Sequence, residues 1–482
     1  MMQFALGIAA GLALNVMPPQ AQTADDAWRE LARIDAEAAL ALIKGSHPGA
    51  APDLGDLEFQ ERLRTAQKNV ATRLPLVADY NGHAALLSGL ANDFGDGHIW
   101  SNARLAAQRR TWAGMVMMRR AQAWMVASHD TVDGETALDG ARLVQCDGIP
   151  ADRLGDERVG RFYADARVEA DLASNAYRLL LDDGNPFLRR PVKCEFQKGA
   201  DKVTVSLNWR PIGIRQLEEA VTKAVVPAQA RIGITAFEGG QWIELGGLGN
   251  EAQEAINQVK TKLDVLREAP MVVLDLRGNS GGNSAYADEI ARLLVGETRW
   301  AAANFAMPEC SGQFWRVSDG NIAALEEFVS NLPSERRGPW QAQLEGMRAA
   351  KAGNRPFSPD LPECARSVKP AHRPTPESPP ASSMRGRLVL VTDRSCFSSC
   401  LIAADLFRSL GALHVGEATD RSTRYMEVRE IILPSGLRTF STLQKASVGM
   451  ADFGPYEPQI SYPGPLADLD ALKAWAAKLP AR

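Results

Sequence analysis

The sequence predicts an α/β core preceded by a helical segment and a small β-rich unit, on three observations. Two continuous apolar stretches, Met271–Leu276 and Arg387–Thr392, each run through a Gly- or Ser-rich turn into an amphipathic helix. Strands of that kind alternating with helices indicate parallel pairing with both sheet faces covered. Between 111 and 211, short strand-like runs are separated by polar turns. Before them, residues 25–110 repeat apolar side chains every three or four positions, the period of a helix packed on one face.

With 482 residues, 45% apolar and 23% charged, the chain has material for several domains and is too apolar to be disordered. A net charge of −4 and a pI near 6.0 argue against nucleic acid as a partner. Phe4–Met17 is apolar and rich in small residues, and Pro18-Pro19 closes it. That layout, with cleavage after Ala21 or Ala24, reads as a signal peptide over 1–24, although no Lys or Arg precedes the apolar run. A periplasmic or secreted protein is expected, with no membrane span left after cleavage. The six cysteines agree with export, since an oxidising compartment permits pairing. Six cysteines allow 15 connectivities. Position along the chain suggests Cys146 with Cys194, Cys310 with Cys364, and Cys396 with Cys400. No zinc-finger spacing and no His-Glu-x-x-His occur, so neither a metal nor a cofactor is implied.

In chain order, Ala27–Ile43 and Leu57–Val70 are the expected helices of the 25–110 segment. Trp112–Met118, Ala123–Ser128 and Ala141–Cys146 are strands, and Val192–Phe196 with Lys202–Trp209 form a hairpin across Lys198-Gly199-Ala200-Asp201. The third region spans 228–482. Its first unit passes from Met271–Leu276 through Arg277–Gly282 into a helix over Ala285–Leu294. Its second passes from Arg387–Thr392 through Asp393–Phe397 into a helix over Ser399–Leu410, then a strand at Ala412–Gly416. Residues 303–383 interrupt these units with helical stretches near Ile322–Leu332 and Trp340–Ala352 and a Pro-rich tract. They read as an inserted lid.

Ligands gather at the carboxyl ends of strands in open α/β sheets, and two turns of this chain lie there. Ser398 stands where a strand gives way to a helix, beside N–H groups that have no intrahelical acceptor and can stabilise an oxyanion, that of Ser399 among them. A serine there also serves as an ordinary helix cap. Gly278–Gly282 allows close approach of a substrate; it lacks the glycine order and the lysine of a nucleotide loop.

Asp275-Leu276-Arg277-Gly278-Asn279-Ser280-Gly281-Gly282, then Phe397-Ser398-Ser399, then Val415-Gly416-Glu417-Ala418-Thr419 together resemble one family. It is the serine peptidase family of carboxy-terminal processing (tail-specific) proteases and the tricorn core protease, and the resemblance covers roughly 228–482. It implies a crotonase-like core of the ClpP-like superfamily, a nucleophilic Ser398, and an oxyanion hole from the N–H groups of Gly281 and Ser399. The processing branch uses a Lys about 25 residues after the serine, but here the first Lys after Ser398 is Lys445, and Arg421 and Arg424 keep their protons. The tricorn-like branch uses an earlier His, and Asp96-Gly97-His98-Ile99 resembles its Asp-Gly-His-Thr signature. His98 is therefore the expected base, with a pKa range suited to the task. By resemblance the orienting carboxylate lies near 451–460, where Gln459 replaces the usual Asp; Glu457 is favoured over Asp452, with Asp96 the remaining candidate. The 111–211 unit resembles a PDZ-like domain, which adds a ligand strand to its sheet edge. The expected protein is thus an exported serine endopeptidase acting on peptides or protein tails. A non-catalytic peptide or apolar-ligand binder on the same scaffold, or an esterase, are the alternatives.

Overall fold

The computed structural model describes residues 24–104, 109–132, 134–225, 228–304, 308–374 and 378–479. The expected leader at 1–24 lies outside them except for Ala24.

The central sheet is mixed and six-stranded, in the order Ile232–Phe237, Gly240–Leu245, Met271–Asp275, Arg387–Thr392, Leu413–Gly416, Ile460–Ser461. The first pair is an antiparallel hairpin and every later neighbour is parallel. All five residues of Met271–Asp275 are buried, as the absence of alternation in the sequence requires. Val272, Leu274, Leu388 and Leu390 face the helices Ala252–Thr261, Ala285–Val295 and Ser399–Ser409, while Val273, Val389 and Val391 pack with Leu472 of the helix Leu469–Ala476. Alternate residues thus supply the two faces of a three-layer core. The turns after Met271–Asp275 and Arg387–Thr392 emerge side by side, because these strands are hydrogen-bonded neighbours.

A second, antiparallel sheet has the order Phe357–Ser358, Gly312–Arg316, Thr439–Val448, Tyr425–Ile432. The sequence reading did not place its long hairpin. Every one of the ten residues of Thr439–Val448 is buried, so its run of Ser, Thr, Gln and Lys shows no polar face. The N-terminal helices Ala24–Ser46, Leu57–Arg73 and Tyr80–Asn92 share one apolar core with this hairpin: Ala39, Ile43, Phe59, Leu86 and Leu90 pack with Tyr425, Phe440 and Leu443. Asp56 and Asp79 cap the second and third helices by accepting from the N–H groups of Phe59 and Gly82. The 303–383 insertion caps this sheet. Its Gly312–Arg316 strand pairs with Thr439–Val448, and the helices Asp319–Asn331 and Arg337–Ala352 bury Leu325, Val329, Leu344 and Met347 against Trp315.

The β-rich unit is an antiparallel sheet in the order Met115–Arg120, Ala123–His129, Arg142–Cys146, Lys193–Lys198, Asp201–Ser206. Cys146 and Cys194 are directly opposed on neighbouring strands and form a disulfide. The other bridges join Cys310 to Cys364 and Cys396 to Cys400, so all six cysteines pair in chain order. Among the described residues no helix is long and apolar enough to cross a membrane.

Candidate active site

The turns at the ends of the two central strands are built by their own polar side chains. Asp275 holds the Arg277 guanidinium at 2.6 and 2.8 Å and accepts from the Trp242 indole at 2.9 Å, all of it buried. Asn279 donates to the Leu245 carbonyl at 2.7 Å and accepts the Gly281 N–H at 2.9 Å. Asp393 accepts from the N–H groups of Gly278 at 3.0 Å and Ser395 at 3.0 Å and so ties one turn to the other. Burial pushes its carboxyl up to about 6, with those two bonds opposing the rise.

Ser398 begins the helix Ser399–Ser409 but makes no side-chain cap bond. Its backbone sits at φ 56°, ψ −126°, a conformation that glycine adopts freely and an L-residue adopts at a cost of order 1–3 kcal/mol. Such strain persists where surroundings over-determine it, and here they do. The Cys396–Cys400 bridge spans the turn with Cα atoms 5.3 Å apart, Leu401 N–H donates to the Ser398 carbonyl at 2.9 Å, and both cysteines are fully buried. Gly281, at φ +110°, lies so close that a Cβ there would stand 2.8 Å from the Ser398 Cβ.

His98 reaches this serine from a separate part of the chain. It follows the helix Tyr80–Asn92 in a tight turn and is buried at 8% exposure. Its Nε2 lies 3.1 Å from the Ser398 Oγ. The Phe397 ring packs against the imidazole with centroids 4.4 Å apart, and a Cβ on Gly97 would meet that ring at 2.9 Å and push it aside. The Asp96 Oδ1 lies 3.1 Å from the His98 Nδ1 and also accepts the His98 backbone N–H at 2.8 Å. An ionised carboxylate only accepts, so Nδ1 carries the proton and Nε2 presents its lone pair to Ser398. The other Asp96 oxygen accepts from the Thr423 hydroxyl. Burial pushes Asp96 up, but the His98 bond and charge, with Thr423, outweigh it and hold the carboxyl at about 2.

The structure therefore brings together Ser398, His98 and Asp96, and not the two carboxylates favoured from sequence. Asp452 Oδ1 accepts the Arg424 N–H at 3.0 Å. Neither Asp452 nor Glu457 has a hydrogen bond to His98 among the described residues. The physical reason is the short Asp96-Gly97-His98 turn, which folds a carboxylate back onto its own imidazole. Of the two expected oxyanion donors, Ser399 N–H stands at the start of its helix without an intrahelical acceptor, while Gly281 N–H is committed to Asn279. The Gly282 carbonyl accepts the Ser399 hydroxyl at 2.6 Å. Lys445 is paired with Glu427 at 3.0 Å, and His414 is bonded to Thr392 at 2.7 Å within the sheet, where burial lowers it to about 4.

A cleft of about 530 Å³ opens at Gly97 and Phe397, the neighbours of His98 and Ser398 in the chain, and is walled by the N-terminal segment 88–102, by the α/β core and by residues 162–178 of the β-rich unit. Gly97, Trp100, Tyr163, Arg178, Phe397 and Asp420 are among its walls, and no described residue of 303–383 is. Sequence reasoning missed its acidic side. Burial and the neighbouring Asp171 and Asp165 charges push Asp420 up to about 7, and burial pushes Asp171 up to about 6.

Residues 230–446 match the family described as Peptidase family S41. No curated protein matches the sequence. Among solved structures, mature CPAF complexed with lactacystin has 12% identity and a TM-score of 0.57, over 94% of this chain and 98% of that one. Mature CPAF alone has 12% identity and a TM-score of 0.57, over 94% and 97%. The photosystem II D1 C-terminal processing protease has 13% identity and a TM-score of 0.35, over 92% and 96%.

Proposed function

The 230–446 segment belongs to peptidase family S41 and the protein is a serine-type peptidase, a hydrolase; from this premise we propose that it is an exported endopeptidase that cleaves peptides or protein tails through an acyl-enzyme on Ser398. The observation that carries this reading is the chain of contacts from Ser398 Oγ to His98 Nε2, then from His98 Nδ1 to Asp96, each 3.1 Å long.

His98 Nε2 takes the Ser398 proton as Oγ attacks the substrate carbonyl, and Asp96 stabilises the imidazolium that forms. The oxyanion is held by the Ser399 N–H, while the Gly281 N–H expected beside it is bonded to Asn279. Nε2–H then protonates the leaving amine, and a water activated by the same nitrogen hydrolyses the ester. The α/β core takes the crotonase-like role, and the 111–211 unit acts as a PDZ-like module whose strand Asp201–Ser206, the last of its sheet among the described residues, would pair with a peptide strand. Three disulfides support export to an oxidising compartment, periplasmic or extracellular.

The test is fluorophosphonate labelling followed by peptide mapping, run with a peptide-digestion assay. Label on Ser398, lost in Ser398→Ala together with peptide cleavage, is expected. Label on Ser395 or Ser399, or turnover confined to esters, would overturn the reading.

A further inference from the structure

The charged groups that line the cleft are nearly all satisfied. Arg394 pairs with Glu417 at 2.8 Å. Arg421 donates to the Gly95 carbonyl at 3.2 Å and lies 3.9 Å from Asp165, which Arg167 holds at 2.7 Å. Asp171 accepts the Asp165 N–H at 2.6 Å, and Asp420 accepts the Arg421 N–H at 2.7 Å.

Arg178 is the exception. Among the described residues its guanidinium has neither an ion pair nor a hydrogen bond, although its Nε is buried from solvent. The group is nonetheless fixed in place. Its guanidinium carbon stands 4.4 Å from the Tyr163 ring centroid and 5.0 Å from that of Tyr177. The Tyr163 hydroxyl is anchored on Asp183 at 2.7 Å. Arg178 itself lies in the short 3-10 turn Ala176–Leu180, whose Ala176, Leu179 and Leu180 are buried.

A buried donor without an acceptor is rare, and ring stacking replaces only part of what a charged donor loses with its water. Guanidinium donors form a rigid fork that matches a carboxylate through two parallel bonds. Because Nε is sealed from solvent, the two Nη groups of this guanidinium, unpaired among the described residues, are the fork that the cleft wall offers to an anion of that shape. We propose that Arg178 anchors a carboxylate of the peptide substrate, carried by an acidic side chain or by the chain terminus. This specificity rests on the acyl-enzyme chemistry proposed for Ser398.

The experiment digests a mixed-sequence peptide library with wild type, Arg178→Gln and Arg178→Lys, then measures kcat and KM on one cleaved peptide. That peptide is prepared with its acidic residues changed to amides, with its terminus amidated, and unchanged. Wild type is expected to favour sites with a carboxylate at a fixed distance from the scissile bond. Arg178→Gln should abolish that preference and raise KM about 10- to 100-fold on the unchanged peptide, as for a lost charge-assisted hydrogen bond. Its kcat should stay within about twofold, and Arg178→Lys should fall between, since it keeps charge without the fork. Loss with side-chain amides identifies an acidic residue as the source, and loss with the terminal amide identifies the chain end. An unchanged preference in Arg178→Gln, or a wild-type preference for Lys and Arg, overturns the proposal. Calorimetric binding of the same peptides to Ser398→Ala, with and without Arg178→Gln, reads the anchor without turnover. Failure of the acyl-enzyme reading, seen as no fluorophosphonate label on wild type, is thereby distinguished from failure of the anchor.

Discussion

Asp96→Asn isolates the charge that orients and stabilises His98. The amide is nearly isosteric, and its Oδ1 can still accept from the His98 backbone N–H, where Asp96 accepts at 2.8 Å. What disappears is the anion beside Nδ1, now 3.1 Å away and buried. Opposite unit charges about 4 Å apart attract by about 4 kcal/mol at an effective dielectric near 20, which corresponds to a factor near 10³ in rate. Loss of the tautomer that presents the Nε2 lone pair adds to this, and triads elsewhere lose about 10⁴ on the same change. We therefore expect kcat on a peptide substrate to fall about 10³- to 10⁴-fold, KM to change little, and fluorophosphonate labelling to slow in parallel. Circular dichroism and the unfolding midpoint check that the fold persists. Glu457→Gln and Asp452→Asn, assayed beside it, should each stay within about tenfold of wild type, as for groups outside a catalytic unit. A loss below tenfold in Asp96→Asn, or a larger loss in Glu457→Gln, refutes the assignment of the orienting carboxylate.

Ser398→Gly removes the nucleophile and the backbone strain together, so it should be inactive yet about 1 kcal/mol more stable to urea than Ser398→Ala, which keeps the strain; equal midpoints would show the turn to be unstrained. Replacing both Cys396 and Cys400 by Ala should lower kcat while barely moving the unfolding midpoint, because so short a loop restricts the unfolded chain little; an unchanged kcat removes the bridge from the positioning of Ser398. Asp420, held up at about 7 in the fold, binds its proton more tightly there than in the unfolded chain, so stability falls as pH rises from about 4 through 7. Asp420→Asn should match wild type near pH 4 and exceed it by about 4 kcal/mol at pH 8, the worth of a shift of about three pH units, read from urea unfolding at each pH; the reverse order would exclude the buried, repelled carboxyl.

The strand–turn–helix units and the serine between them were legible in the sequence because they are local. Continuous apolar runs, turn residues and the helical period sit within a few positions of one another and report backbone geometry directly. The disulfide partners could be proposed from chain order, and Asp96-Gly97-His98 was visible as a motif. What the sequence did not show was which distant groups meet. His98 and Ser398 are 300 positions apart, and only the packing of the N-terminal helices onto the Tyr425–Ile432 and Thr439–Val448 hairpin brings that turn to the end of the central sheet. The Thr439–Val448 strand of that hairpin was hidden because both its faces are covered, which erases the alternation that marks a strand. The orienting carboxylate was sought near 451–460 because resemblance pointed there. The choice falls instead to three-dimensional distance: the two-residue turn folds Asp96 onto its own histidine, while Asp452 is spent on the Arg424 backbone. The unpaired Arg178 likewise belongs to tertiary structure alone, since no sequence pattern records which charged side chains lack a partner once the chain is packed.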